Sequence, residues 1–329
     1  MRKLPAFIAV FTLFAIAGNS YAVDSQLLNL VMPDAQVMAG VNVTNSEITP
    51  LGTFLLAQIS ANSGSDQGLQ QLIAKTGFDP RKDVTEVLAA SNGNAAAPSA
   101  VALSKGTFDV AKIVAAIGSG KAQTVSTYNG ATLITAGTDG SSAIAFLGGT
   151  IAIAGNLASV KAAVDRSGLV NSIDPALAAQ VQTLSTTEDA WSISLASLSA
   201  LMPGAAKTAP GGTGVEGMAG QALQLVKNIQ SCSAGLKFGA NVQFTAQAVA
   251  DTPQDAAALG DVIKMVTSLA AMGAAGNKDG AAIAQLLQSL QVTTTGATVN
   301  LSASVPESEI EALLNTAIAP QAKAGKVKI

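Results

Sequence analysis

The sequence predicts an α+β protein: antiparallel hairpins forming one or more mixed sheets, with amphipathic helices packed on one face. Three observations predict it. Alternating apolar stretches are joined by tight turns carrying Gly or Asn. Polar caps then precede apolar residues at helical spacing. The plan of hairpin, cap and helix also recurs, at roughly 142–166, 234–272 and 290–318, as a pattern rather than as residue identity. Tight hairpins cannot join consecutive parallel strands, which sets a doubly wound α/β sheet behind this reading.

The strands come first. Val37 to Val43 (VMAGVNV), Val101 to Leu103 and Trp191 to Leu195 alternate as strands do. Asn129-Gly130 in STYNGATLITA is the strongest hairpin signal, because both central residues of a type I′ turn need positive φ. Gly148-Gly149 in AIAFLGGTIAIAG is similar, and Gly239-Ala240-Asn241 and Thr295-Gly296 separate two further strand pairs. Helices follow with their caps. Asp109 precedes Val110, Ile113, Val114 and Ile117, an i, i+3, i+4, i+7 stripe. Asn156 precedes Leu157, Val160 and Val164. Thr252-Pro253 opens a helix with Leu259, Val262, Ile263, Val266 and Leu269 on one side, and Ser304 with Pro306 does the same for Ile310, Leu313 and Leu314.

The stretch TGFDPRKDVTEVLAAS at 76–91 gathers five charges in eight residues (DPRKDVTE), in a chain that is only 12% charged. Local structure accounts for it. Gly77 ends a helix, Phe78 folds back on it, and Asp79-Pro80 has the form of a cap with a first-turn proline. From Val84 a strand follows, bracketed by Val84, Val87 and Ala89 and ending at Ser91-Asn92-Gly93. Arg81 and Lys82 are expected to be solvated.

Residues 1–22 read as a secretory signal peptide. Arg2 and Lys3 precede an apolar run from Leu4 to Ala17, and Ser20 and Ala22 stand at −3 and −1 of a cleavage point after Ala22. An uncleaved anchor is the competing reading, against which stand the short apolar run and the polar residues after it. Cleavage takes Arg2 and Lys3 away, moving the formal charge from −3 to −5; an acidic chain of this kind is not built to bind nucleic acid. The mature chain then divides into an N-terminal α+β half, 23–186, and a C-terminal α+β half, 187–329. The second half begins with the strand around Trp191 and carries a flexible Gly/Pro loop at 202–220; a single sheet shared by both halves is the alternative. No transmembrane segment is expected after cleavage, since the apolar stretch 253–275 carries Asp255, Asp261 and Lys264.

Several chemistries are short of residues. Histidine is absent and Cys232 is the only cysteine. That removes the commonest general base, the ordinary zinc, copper and haem ligand sets, and any internal disulfide. The aromatics after Ala22 are scattered, which disfavours stacking platforms. Gly212 to Gly217 formally matches G-x-G-x-x-G but lacks a preceding strand. Gly118-Ser-Gly-Lys121 lacks the phosphate loop's earlier glycine and its following Ser or Thr. Lys75-Thr76-Gly77 matches one element of penicillin-binding enzymes, yet no S-x-x-K accompanies it. Glu307, Glu309 and Glu311, with Asp255 and Asp261, read as solvated helix faces. Lys323, Lys326 and Lys328 read as a solvated tail. No catalytic, cofactor-binding or metal-binding residue is nominated, and no cofactor is expected.

The run G-F-D-P-x-x-D-V at 77–84, with GTFDVAK at 106–112, resembles a group of exported bacterial proteins described only as domains of unknown function. The likeness covers mainly 32–166. It implies a mixed α/β protein of a bacterial envelope and brings no catalytic residues with it. The functional expectation is an exported, non-enzymatic envelope protein, periplasmic or extracellular, that binds a protein partner or an apolar ligand. A hydrolase with a Ser/Lys or carboxylate site and a structural envelope protein are the alternatives.

Overall fold

The computed structural model describes residues 22–44, 73–94, 96–117, 123–136, 142–170, 172–197, 227–275 and 281–311. The loop 202–220, the G-x-G-x-x-G and GSGK matches, the terminal lysines and nearly all of the signal segment lie outside them. The chain forms two compact units, Met1–Ala196 and Ser197–Ile329.

In the first unit the strands β1 (Val37–Asn42), β2 (Val84–Ser91), β3 (Ala100–Gly106), β4 (Gln123–Tyr128), β5 (Ala131–Ala136), β6 (Ser142–Leu147), β7 (Ile151–Gly155) and β8 (Ala190–Ser194) form a sheet in the order β8-β1-β2-β3-β7-β6-β5-β4. Every pair in it is antiparallel. The predicted turns are present: Asn129 and Gly130 have φ of 43° and 82°, and Gly148 and Gly149 have 57° and 73°. Strand β8 pairs with β1, so the first unit reaches Ala196 and not 186. The sequence shows where the strand around Trp191 lies; only its pairing shows which unit owns it.

The helices α1 (Ser25–Leu30), α2 (Pro80–Asp83), α3 (Val110–Ile117), α4 (Leu157–Asp165) and α5 (Pro175–Thr187) accompany this sheet, and residues 73–76 are helical as well. The caps at Asp109 and Asn156 form as predicted, with Lys112 N–H to Asp109 Oδ1 at 3.1 Å and Ser159 N–H to Asn156 Oδ1 at 2.8 Å. Helices α1, α4 and α5 bury Leu27, Leu30, Val160, Val164, Leu177 and Val181 in one core with Met38, Leu88, Leu103 and Ile153. The expectation of helices on one face needs correction here. The neighbouring strand residues Ile134, Phe146 and Ala152 point the other way and pack with Phe78, Phe108 and Ile113 of the α3 region. Strands β5 to β7 are therefore covered on both faces near that end, which is why their sequences run almost continuously apolar.

Strand β2 spans Val84–Ser91, the bounds read from the sequence. Its register shifts between Val84 and Glu86, and Leu88 and Ala90 are the side chains that it places in the main core. Glu86 shares the parity of Leu88 and lies on the side that α1 covers.

In the second unit β9 (Ile229–Lys237), β10 (Asn241–Ala250), β11 (Gln291–Thr295) and β12 (Thr298–Pro306) pair antiparallel in the order β11-β12-β10-β9. Helices α6 (Pro253–Ala275) and α7 (Ala281–Ser289) join them. The helix expected here does begin, at residues 307–311, but Ser304 is not its cap, because it pairs with Gln243 inside β12, and Pro306 is the last paired residue of that strand. Among the described residues Ile229, Ala250, Ala256, Leu259 and Val299 form one buried cluster, with the half-buried Cys232 against it, and Val242, Ala303 and Val305 are buried too. Burial pushes the Cys232 thiol up, away from the reactive thiolate form.

Candidate functional site

The conspicuous charges at 79–86 divide into two groups. The first holds a corner of the fold. Gly77, at φ +71°, donates its N–H to the Ile73 carbonyl at 2.8 Å and stops the helix before it. Phe78 stacks at 5.3 Å on Phe108, which meets Phe146 at 5.5 Å. Asp79 caps α2 by accepting from Arg81 N–H at 3.1 Å, and Asp83 accepts from Asp79 N–H at 2.7 Å. Arg81 is not merely solvated. Its guanidinium grips Asp79 with two bonds, Nε to Oδ1 at 2.8 Å and the terminal nitrogen to Oδ2 at 2.7 Å. That pair holds the Asp79 carboxyl below its ordinary value.

The second group was not legible as a site. Glu86, on β2, lies directly across from Lys105 on β3. Both Glu86 carboxylate oxygens accept from the Asp24 N–H, at 3.2 Å each. Asp24 caps α1 through Gln26 N–H at 2.8 Å and pairs through its other oxygen with Lys105 Nζ. Burial pushes Glu86 up to about 7; the Asp24 charge adds to that, while the Asp24 N–H and Lys105 oppose it. The cluster can hold or release a proton near neutrality. Its members are 62 and 81 residues apart in the chain, and the only signal for it was that Glu86 closed the charged run.

The carboxylates singled out in the sequence do not meet at one place. Asp255 accepts from Thr252 at 2.6 Å and from Asn228 at 2.9 Å, completing the predicted cap of α6. Asp261 pairs loosely with Lys264 at 3.9 Å on an exposed surface. Among the described residues no group of three or more carboxylate or thiol side chains is arranged to hold a metal ion.

Helix α6 carries the other unusual feature. Its first half packs inward through Ala256, Leu259 and Gly260, and a Cβ at Gly260 would lie 2.7 Å from Thr294 Oγ1. Its second half turns an apolar stripe outward: Met265, Val266, Leu269 and Met272, the last 74% exposed, with Ile283 of α7 exposed as well. From Met265 to Ala275 the helix has no charged residue. By length and composition Pro253–Ala274 is long and apolar enough to cross a membrane.

The fold is similar to that of TP0453. One crystal form of TP0453 aligns at a TM-score of 0.54 and 10% identity, covering 90% of this chain and 99% of that one. A second crystal form aligns at 0.51 and 11%, covering 89% and 97%. At such identity the likeness to TP0453 is one of fold. No protein-family model matches the chain, and no curated protein matches it.

Proposed function

We propose that this chain is an exported, non-catalytic protein of the bacterial cell envelope that binds lipid acyl chains through the outward face of α6. The observation that carries the reading is the stripe Met265, Leu269 and Met272, exposed at i, i+4 and i+7. Soluble surfaces scatter single apolar residues, but a continuous uncharged face on one helix favours contact with an apolar phase. Aromatic and Arg anchors, which dominate protein–protein hot spots, are missing from it. Flexible methionines suit a fluid partner. The N-terminal pattern of two cations, an apolar run and small residues at −3 and −1 supports export.

The expected binding is reversible. A few half-exposed side chains contribute roughly 1 kcal/mol each on entering an apolar phase, far short of anchoring by a spanning helix. Flotation with phosphatidylcholine vesicles tests this. The wild-type chain is expected to float with the vesicles, and a chain carrying Met265→Glu, Leu269→Glu and Met272→Glu is expected to stay below. Wild-type protein that fails to float, or a triple variant that floats equally, overturns the reading.

A further inference from the structure

Helix α1 is tied down at both ends. Leu27 and Leu30 are fully buried and Val23 packs against the same core. At the far end the Arg166 guanidinium donates to the Leu30 carbonyl at 3.1 and 2.8 Å. At the near end the Asp24 N–H points between the two oxygens of Glu86. The chain at residues 23 and 24 is thus held where Glu86 faces it. The Val23 nitrogen is one residue back along the chain from the N–H that meets that carboxylate.

The cluster is one cation short. Asp24 and Glu86 are both acids, and Lys105, the charged group facing them from β3, is already paired with Asp24. Asn42, across from Glu86 on β1, is neutral. The sequence puts the missing charge within reach. Hydrolysis of the Ala22–Val23 peptide bond by a signal peptidase adds one water, leaving Ala22 with the carboxylate and Val23 with an ammonium. That ammonium is charged below about pH 8.

We propose that removal of residues 1–22 completes this cluster: the α-ammonium of Val23 becomes the countercharge of Glu86, and the mature N-terminus is a structural element that the precursor lacks. The proposal rests on the export reading above. Before cleavage, Glu86 sits half-buried beside another acid, compensated by one shared N–H and by a Lys105 that is already paired with Asp24. After cleavage it gains a charge-assisted partner held in place by α1. The first unit therefore reaches its full stability only once the leader is gone.

The test uses the chain matured in the bacterial periplasm, whose first residue is read by mass spectrometry and expected to be Val23. It is compared with the same chain extended at its N-terminus by Gly-Ser-Gly-Ser, which carries the ammonium away. Glu86 is followed by carboxyl carbon NMR in both. In the extended chain it is expected to titrate higher than in the mature chain by about one pH unit or more. At pH 7 the mature chain is expected to melt about 2–6 °C higher, and Glu86→Gln is expected to abolish that difference. A mature chain starting elsewhere, or equal titration and equal melting in the two chains, overturns the proposal. Should Glu86→Gln fail to fold, the titration of the two wild-type chains decides alone. Flotation of the same two chains reads the α6 proposal separately, since its stripe is in the other unit.

Discussion

Trp191 on β8 lies across Gly40 on β1. The two residues are cross-strand partners, and a Cβ built on Gly40 would sit 2.5 Å from Trp191 Cζ2 and 2.7 Å from Cε2. Only a glycine lets the indole lie on the strand, where it is 6% exposed and part of the main core. Gly40→Ala must push the ring out of a packed site. We expect a loss of about 1–3 kcal/mol, read by thermal unfolding. Trp191 is the sole tryptophan, so its fluorescence should shift to the red in the same variant. Unchanged emission and melting would mean that the strands can separate at no cost.

Asp79 joins a helix cap to a two-bond ion pair with Arg81. Asp79→Ala is expected to lower stability by roughly 1–2 kcal/mol at pH 7. The sign with pH follows from its depressed carboxyl. An aspartate lowered in the folded state contributes stability above the unfolded value near 3.9, and loses it as pH falls through the folded value. The gap in melting temperature between wild type and Asp79→Asn should therefore be widest at neutral pH and close below about pH 4. A gap that persists in acid would sink this account.

Tyr128 donates to Asp165 Oδ2 at 2.9 Å, and Asn129 Nδ2 donates to Asp165 Oδ1 at 2.6 Å, so one carboxylate on α4 receives the β4–β5 turn. The bond to Asp165 raises the Tyr128 hydroxyl above its ordinary value. In a chain that begins at Val23, as the proposed cleavage would leave it, Tyr128 is the sole tyrosine, and its absorbance titration is unobstructed. Asp165→Ala is expected to bring that titration down. An unmoved curve would show that the pairing does not persist in solution.

Met272 is largely exposed. Met272→Glu is expected to leave the melting temperature within the small range of ordinary surface substitutions, about 0.5 kcal/mol, while weakening vesicle flotation. A large fall in melting would mean that Met272 is packed in solution, and the outward face of α6 would lose its best residue.

The turns and caps were legible because they are local. Positive φ at Asn129 and Gly130, and the side-chain oxygens of Asp109, Asn156 and Thr252, act over two or three residues. The covering of β5 to β7 on both faces was hinted at by continuous apolar runs but not read. Ser304 looked like a cap because a serine before a proline fits that chemistry, yet pairing with β10 took it into a strand. The Asp24, Glu86 and Lys105 cluster was invisible, since it needs β2 and β3 in register and α1 laid over them.

By itself the sequence determined the α+β class, the hairpin turns and the helix starts, because each follows from conformational preferences within a few residues. It also determined which chemistries lack their residues. Tertiary structure alone decided that β8 belongs to the first unit, that Glu86 is half-buried beside Asp24, and that the second half of α6 faces outward. Those are matters of which distant segments meet, and no local preference encodes them.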